Sequence, residues 1–360
     1  MTTQPEKPAR RRRRFHISLR GLMLLVLILG GGLGWIIYQA KVQREAVAGI
    51  IRHGGIVIYH WQFRSDGQVD PQGEPPVPKW LIRWLGPDYF GHVVWVTLEW
   101  KGGDAAMPHV ARLPRLKRFF DVRSGLSDAQ AARLGDLPEL EEVILFSSKP
   151  LTGAGLAGLS KLARLKHLNL GVLPVHDQDL AAIAGVASLQ TLDVHSAKIT
   201  DAGLVHLRGL TNLRRLTLTG TRVADLKSLV GLKQLQSLDL SGTPITDEGL
   251  APVAELVNLR DLNLAGTAIT DEGLPPLRKL PKLDVLDLNL TRITDAGLIA
   301  LGDNPPLGEI KLSGTAITDA GINLVERWSN LRWLRVRKTK ATSDRLYSLS
   351  GARPKLCIDR

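Results

Sequence analysis

The sequence predicts an α/β solenoid of stacked strand-and-helix repeats, preceded by one membrane-spanning helix. Two observations support this prediction: a frame of leucines that recurs every 22 to 25 residues from Leu116 onward, and an apolar stretch at residues 21–40. The composition, with 44% hydrophobic and 23% charged residues, is that of a folding chain. It excludes a wholly disordered chain and a protein with many membrane spans.

The first 40 residues predict a basic cytoplasmic tail, residues 1–20, followed by a membrane anchor, residues 21–40. The tail contains six arginines, Arg10 to Arg14 and Arg20, whereas the anchor contains no Asp, Glu, Lys or Arg. Twenty helical residues span about 30 Å, which is the thickness of the hydrocarbon core of a bilayer. Because positive charge favours the cytoplasmic side, we expect the N-terminus inside and residues 41–360 outside the cytoplasm.

A cleaved signal peptide is the alternative for this segment, with Ala46-Val47-Ala48 as its small-residue site. The anchor is favoured for two reasons. The site lies eight residues beyond Tyr38, with charged residues between them. The apolar stretch is also longer than the roughly 7–15 residues of the hydrophobic region of a signal peptide.

Residues 41–91 are expected to form a tryptophan-rich region that caps the first repeat. The segment Trp80-Leu81-Ile82-Arg83-Trp84-Leu85 places both tryptophans and both leucines on one helical face. The alternative is that these tryptophans form an aromatic platform for a ligand. Asp70 to Pro78 is a proline-rich connector.

Residues 92–340 contain the repeats, and residues 341–360 are expected to cap the C-terminal end. In Leu235-Gln236-Ser237-Leu238-Asp239-Leu240 the later leucines alternate with polar residues, which predicts a short strand with one buried face. A 24-residue unit cannot bury its apolar face alone, so its neighbours must stabilise it. The first leucines of the frame are Leu116, Leu140, Leu165, Leu189, Leu213, Leu235, Leu259, Leu283, Leu307 and Leu331.

Each strand is followed by a turn and a helix start. Gly242 permits a tight bend, and the Thr243 side chain can satisfy backbone groups of the turn. Thr246-Asp247-Glu248-Gly249-Leu250 then predicts a helix whose N-cap is the threonine. Because capping accounts for the recurrent aspartates, we predict no metal site there. The copies of this motif begin at Thr200, Thr270, Thr294 and Thr318.

These motifs resemble the leucine-rich repeat over about 250 residues. The resemblance implies a curved solenoid with a parallel sheet on its concave side and helices on its convex side. The order of basic tail, apolar stretch, tryptophan-rich region and repeats looks like the membrane-anchored, internalin-like leucine-rich repeat proteins of planctomycete bacteria. That resemblance implies a location in the bacterial cell envelope and no particular reaction.

The distribution of charge argues against nucleic acid as a partner. Residues 1–60 carry a net charge of +8 and residues 331–360 carry +7, which leaves −3 for the 270 residues between them. The repeats therefore lack the positive field that drives nucleic-acid binding. The single cysteine, Cys357, excludes an intramolecular disulfide and a cysteine-built metal centre.

The candidate binding site is a stripe along the concave face, made by the residue between the second and third leucines of each frame. It is polar and partly acidic, and it turns basic at its C-terminal end. We predict that it binds a protein, with a glycan as the other ligand class. The stripe comprises Asn169, Asp193, Thr217, Asp239, Asn263, Asp287, Lys311 and Arg335.

Two alternatives to a non-enzymatic binding protein stay open. His167, Asp193 and His195 could form a hydrolytic or metal-dependent site, because they fall on neighbouring strands of one face. A purely structural envelope component is the second alternative. Nucleotide-binding, nucleophile-elbow and zinc-protease motifs do not occur in the sequence, and no cofactor is predicted.

Overall fold

The repeats form one continuous sheet. The computed structural model describes residues 19–63, 68–70, 72–100 and 102–360, so most of the predicted basic tail lies outside the described residues. Thirteen strands pair in the order of the chain. β1 is antiparallel to β2, and each later pair is parallel. The predicted solenoid with a parallel sheet is therefore confirmed, except for its antiparallel first strand.

Most strands are three residues long, and the first four are longer. The strands are β1 Ile56–Tyr59, β2 Val93–Glu99, β3 Arg118–Val122, β4 Glu142–Phe146, β5 His167–Asn169, β6 Thr191–Asp193, β7 Arg215–Thr217, β8 Ser237–Asp239, β9 Asp261–Asn263, β10 Val285–Asp287, β11 Glu309–Lys311, β12 Trp333–Arg335 and β13 Cys357–Asp359.

Short helices connect the strands. The α-helices are α1 Leu19–Arg52, α2 Lys79–Leu85, α3 Gly103–Val110, α4 Asp128–Ala131, α5 Gly153–Leu156, α6 Asp201–Leu204, α7 Asp247–Leu250, α8 Asp295–Leu301, α9 Asp319–Val325 and α10 Ser343–Ala352. The 3₁₀ helices are His60–Gln62, Pro87–Tyr89, Ala132–Asp136, Ala157–Lys161, Asp177–Ile183, Val205–Leu207, Lys227–Leu229, Ala251–Glu255, Asp271–Gly273 and Pro275–Lys279.

The leucine frame fills a single core behind the sheet. All ten first leucines of the frame are at most 3% exposed. The third apolar position of the frame has one exception, because Asp121 occupies it in β3 and is fully buried. The turn threonines act as predicted: the Thr243 hydroxyl donates to the Leu240 carbonyl at 2.6 Å.

The Thr-Asp-x-Gly-Leu motif links adjacent repeats at several positions along the solenoid. Thr270 accepts a hydrogen bond from the Glu272 amide, which confirms its role as an N-cap. The Asp247 carboxylate of the preceding repeat accepts from the Thr270 amide at 2.9 Å and from its hydroxyl at 2.6 Å. Gly273 provides the space for this contact, since a Cβ there would lie 2.4 Å from Asp247 Oδ1. The aspartate therefore bonds the next repeat.

Helix α1 continues past the predicted anchor. Its C-terminal part packs against α3 and β1, with Ala46 and Ile50 fully buried. Among the residues that the structure describes, no helix is both long and apolar enough to cross a membrane.

The structure corrects the expectation that Trp80 and Trp84 cover the first repeat. They are 66% and 77% exposed, and α2 contains no buried residue. The reason is that α2 packs chiefly against the adjoining turn Pro87–Tyr89. The N-terminal end of the sheet is instead formed by β1, against which α1 packs.

Candidate functional site

The eight predicted stripe residues lie in one row across eight parallel strands. Each is the last residue of its strand, from Asn169 in β5 to Arg335 in β12, and each is paired in register with the next. Their side chains point away from the leucine core, because the preceding residue of each strand lies in that core. Asp287 is the least exposed of the seven from Asn169 to Lys311 that line the row, at 8%. We call this side of the sheet the open face; it is the face predicted to be concave.

Five stripe residues also stabilise the ends of their strands. The Oδ1 atom of each Asn or Asp accepts a hydrogen bond from the backbone amide two residues later, which is an Asx turn. The distances are 2.8 Å for Asn169, 3.0 Å for Asp193, 2.9 Å for Asp239, 3.0 Å for Asn263 and 3.0 Å for Asp287. The preference for Asn and Asp therefore has a structural cause, which the spacing of the frame did not reveal.

The second carboxylate oxygen of each aspartate has a partner on a neighbouring strand. Asn169 Nδ2 donates to Asp193 Oδ2 at 3.2 Å, and Asn263 Nδ2 donates to Asp239 Oδ2 at 3.0 Å. Lys311 Nζ lies 3.2 Å from Asp287 Oδ2. Six of the eight stripe residues are thus held in three pairs, each joining two neighbouring strands, before any partner binds.

A parallel row, formed by the first residue of each strand, adds charge to the open face. Asp261 lies two strands from Arg215 in this row. Burial raises the pKa of the Asp261 carboxyl, and the Arg215 guanidinium opposes that shift. Near the C-terminal end, Glu309 lies 3.8 Å from both Lys311 Nζ and Arg335 Nε. The open face is therefore acidic in its middle, and it carries both signs of charge toward its end.

The residues of the predicted enzymatic alternative form two separate pairs. His195 Nδ1 lies 2.8 Å from Asp193 Oδ1, whereas His167 Nδ1 lies 3.1 Å from the Thr191 hydroxyl. The His195 ring also covers the backbone of Gly171, where a Cβ would lie 2.0 Å from the ring. Across the described residues, no group of three or more His, Cys, Asp or Glu side chains is arranged to hold a metal ion.

An apolar section of the open face was missed from the sequence. Phe120 and Ile144 extend the stripe row toward the N-terminus, each paired in register with its neighbour. Phe146 lies two residues after Ile144 on the same side, and the Trp95 ring contacts the Phe120 ring edge-on at 4.6 Å. The signal was present, because β3 and β4 place apolar residues where later repeats have Asn, Asp or Thr.

One cation lies within this apolar section. The Arg118 guanidinium is 5.1 Å from the centre of the Phe63 ring and 5.6 Å from that of Trp95. Arg118 Nε also lies 3.2 Å from Glu142 Oε2 on the next strand. The N-terminal section of the open face therefore combines aromatic rings with a paired charge.

Comparison with known proteins identifies the repeat. Two family models described as leucine-rich repeat match the chain, one at residues 183–245 and the other at residues 256–277 and 279–302. The chain contains leucine-rich repeats. A search of curated protein sequences finds no match.

Two solved structures have a similar leucine-rich repeat fold. An internalin (inlF) from Listeria monocytogenes is 24% identical, with 70% of this chain and 69% of that chain covered and a TM-score of 0.57. A leucine-rich repeat protein from Leptospira interrogans is 17% identical, with 80% of this chain and 94% of that chain covered and a TM-score of 0.50. At these identities the similarity is one of fold alone.

Proposed function

We propose that the open face of the leucine-rich repeats binds a protein partner, so that the chain acts as an interaction scaffold rather than an enzyme. The observation that carries this proposal is the unbroken row of side chains along β3 to β12, apolar at Phe120 and Ile144 and polar from Asn169 onward. With strands about 4.8 Å apart, the eight-residue stripe alone extends roughly 34 Å. An apolar section beside polar groups is typical of a protein interface.

The charges on this face favour a partner of complementary pattern. Asp193, Asp239, Asp261 and Asp287 lie in the middle of the face, and Lys311 and Arg335 lie toward its C-terminal end. A partner with basic residues opposite the middle and acidic residues opposite the end would meet opposite charges along its length. Such complementarity contributes specificity and a faster association rate.

Site-specific photo-crosslinking of the full chain in native membranes tests the proposal. A photoreactive amino acid at Thr217, in the middle of the stripe, should crosslink to a discrete protein, and excess unlabelled full chain should compete for it. The matched control is Ile299, which is 60% exposed on α8 and lies outside the sheet. Equal crosslinking from positions 217 and 299 would contradict the proposal.

A triple variant, Asp193→Asn with Asp239→Asn and Asp287→Asn, tests the same face. It keeps the acceptors of the turns and removes the charges together with the Oδ2 acceptors that face Asn169, Asn263 and Lys311. Each asparagine retains an amide oxygen that can accept the backbone amide two residues later. We expect the apparent affinity for the crosslinked partner to fall by about tenfold or more, which corresponds to ~1.4 kcal/mol or more. Thermal unfolding by circular dichroism is the control for fold, and undiminished affinity would exclude these carboxylates from the interface.

We also propose that residues 21–40 anchor the protein in a membrane, with the repeats on the extracytoplasmic side of a bacterial envelope. This proposal is supported by the arginines that precede the stretch and by the exposed apolar side chains of α1, among them Leu27 at 73% and Ile28 at 62%. Removal of residues 1–40 should release the protein from the carbonate-resistant membrane fraction. N-terminal sequencing of the mature protein tests the cleaved alternative, which predicts a start shortly after Ala48.

A further inference from the structure

Helix α2 presents two exposed tryptophans together with basic side chains. Trp80 and Trp84 are four residues apart and therefore lie on the same side of the helix, where they are 66% and 77% exposed. The helix contains no acidic residue and two basic ones: Arg83, and Lys79, whose Nζ lies 2.8 Å from Glu74 Oε1. Two large exposed indoles on one turn of helix are unfavourable in water and favourable at a boundary between an apolar and a polar phase.

Polar contacts with α1 hold the C-terminal end of α2 and the turn that follows it. The Arg44 guanidinium donates a hydrogen bond to the carbonyl of Leu85, the last residue of α2. The side chain of Asp88, which is 8% exposed, accepts from Gln43 Nε2 at 2.9 Å and lies 3.8 Å from Arg44 Nε. Gln43 Nε2 also donates to the carbonyl of Gly91 at 3.0 Å.

A third element closes this junction. The Tyr59 hydroxyl, at the end of β1, donates to the same Asp88 carboxylate at 2.9 Å. Burial and the neighbouring Asp88 carboxylate together raise the pKa of Tyr59, so the phenol stays protonated and continues to donate. The C-terminal end of α2 is therefore held beside residues 43 and 44 of α1 and against the edge of the sheet.

These contacts determine how far the C-terminal end of α2 lies from the apolar stretch, measured along the axis of α1. Arg44 is four residues beyond Ala40, the last residue of that stretch, which corresponds to about 6 Å along a helix. The headgroup layer on each side of a bilayer is about 5–8 Å thick. If residues 21–40 cross the hydrocarbon core, the end of α2 lies within the headgroup layer. Tryptophan is enriched in that layer, and lysine and arginine there are attracted to anionic headgroups.

We propose that α2 lies on the membrane surface, with Trp80 and Trp84 inserted among the lipid headgroups beside the end of the apolar stretch. The inference rests on the proposed membrane anchor. Its consequence is that two elements, α1 and α2, contact the bilayer. The repeats are then held in one orientation to the membrane instead of turning freely about a single helix.

Environment-sensitive labels on single cysteines test this inference in the full chain. In a Cys357→Ser background, cysteine replaces Trp80, Trp84, Leu27 or Trp333 in separate variants, and each is labelled with the fluorophore NBD. The labelled proteins are reconstituted into vesicles of phosphatidylcholine and phosphatidylglycerol, with and without lipid that carries a doxyl group near its headgroup. Trp333 is the matched control, because it is 50% exposed and lies on β12, near the opposite end of the sheet.

We expect labels at positions 80 and 84 to show blue-shifted emission, quenching by the doxyl lipid and protection from aqueous iodide, and the label at 333 to show none of these. In a contrary outcome, iodide quenches the labels at positions 80 and 84 as strongly as the label at position 333, while the label at position 27 is in lipid. That result would support the membrane anchor and contradict the proposed contact of α2 with the membrane. If the label at 27 is also in water, both proposals are wrong. Circular dichroism of each variant shows whether the repeats remain folded.

Discussion

At the scale of the residue, the glycine of the Thr-Asp-x-Gly-Leu motif has a function that one repeat alone does not show. Its missing side chain accommodates the carboxylate of the repeat before it. Gly203, Gly273, Gly297 and Gly321 each lie where a Cβ would be 2.3 to 2.4 Å from the preceding aspartate. The threonine, the aspartate and the glycine are thus parts of one contact between two repeats.

Replacing this glycine should destabilise the protein. In Gly273→Ala the new methyl group would displace the Asp247 carboxylate from the Thr270 amide and hydroxyl, at a cost of about 1–3 kcal/mol. The measurement is urea unfolding followed by circular dichroism. The matched control is Gly231→Ala, because no atom lies within 4 Å of a Cβ there. Equal unfolding midpoints for the two variants would show that the contact contributes nothing.

Asp121 supplies a second test at this scale, because a carboxyl group occupies a position that is apolar in the other repeats. Its Oδ1 accepts from the Ser124 amide at 2.9 Å, while its Oδ2 is buried without a partner. Burial raises the pKa of this carboxyl above its ordinary value of 3.8. The folded state therefore disfavours the ionised form, and the ionised carboxylate lowers stability as the pH rises above that ordinary value.

Asp121→Asn should therefore stabilise the protein at neutral pH. The amide keeps an oxygen for the Ser124 N–H and removes a buried charge. The stability difference between variant and parent should shrink as the pH falls toward about 4, where the parent carboxyl becomes protonated in both states. Urea unfolding of both proteins at several pH values measures this difference. A variant less stable than the parent at pH 7 would show that the buried charge of Asp121 does not destabilise the protein.

The spacing of the repeats was enough to predict which residues form the stripe. It was not enough to predict the hydrogen bonds that those residues make. A period of 24 residues places Asn169 to Arg335 in one row whatever the side chains are, so the register could be predicted. The hydrogen bonds that Asp193, Asp239 and Asp287 accept from turn amides depend on backbone angles at the strand ends. Periodicity carries no information on those angles.

At the scale of the element, the repeats followed from the sequence more closely than the N-terminal region did. The leucine frame occurs ten times, so each strand can be placed by comparison with the others. Helices α1 and α2 and strand β1 each occur once and offer no such comparison. Apolar content alone did not show which face of α2 is covered, because its position depends on the polar contacts of Gln43 and Arg44 with Asp88. The lengthened strands β3 and β4 were missed for a related reason: the frame fixes the buried residues and leaves the outward ones free.

The junction between the His60–Gln62 turn and β2 is expected to be acid-sensitive. The His92 and His60 rings stack at 4.6 Å. Burial first, and then the charges of His60, Arg115 and Lys117, lower the pKa of His92 from 6.5 to about 4. The folded state keeps His92 neutral while the unfolded chain binds a proton below pH 6.5, so the contribution of His92 to stability falls as the pH falls from 6.5 to about 4.

His92→Gln should flatten the pH dependence of stability over that interval. Relative to the parent, the variant should lose less stability, or gain more, as the pH falls from 6.5 to about 4, because the unfavourable contribution of His92 is absent. The comparison uses urea midpoints at closely spaced pH values. His206→Gln, a substitution in the Val205–Leu207 helix, serves as the control. An identical slope in the parent and in His92→Gln would show that this histidine does not control the acid response.

At the scale of the whole molecule, stability should come from contacts between adjacent repeats and not from any particular repeat. The leucine core, the sheet and the threonine-aspartate contacts each join one repeat to the next. A solenoid of this kind tolerates the loss of a whole unit, provided that the new neighbours fit.

Deletion of residues 237–260, which is one period of 24, should leave a folded and shorter solenoid. The new junction pairs Arg215 with Asp261, which are opposite in charge, and Thr217 with Asn263 in the stripe. Gly273 would take the place of Gly249 beside the Ala224 carbonyl, where only a glycine fits. Small-angle scattering should show a particle that is shorter along the sheet by about one strand spacing, 4.8 Å. The circular dichroism spectrum of the variant should have the same shape as that of the parent.

Deletion of half a period, residues 237–248, is the matched comparison. It removes β8 and joins Gln236 to Gly249, so the leucines that follow no longer meet the core of the repeat before them. We expect the chain beyond that point to unfold or to separate from the N-terminal repeats. If the 24-residue deletion also abolished cooperative unfolding, the solenoid would depend on a unique contact in its centre. Additive contacts between neighbouring repeats would then be the wrong description of its stability.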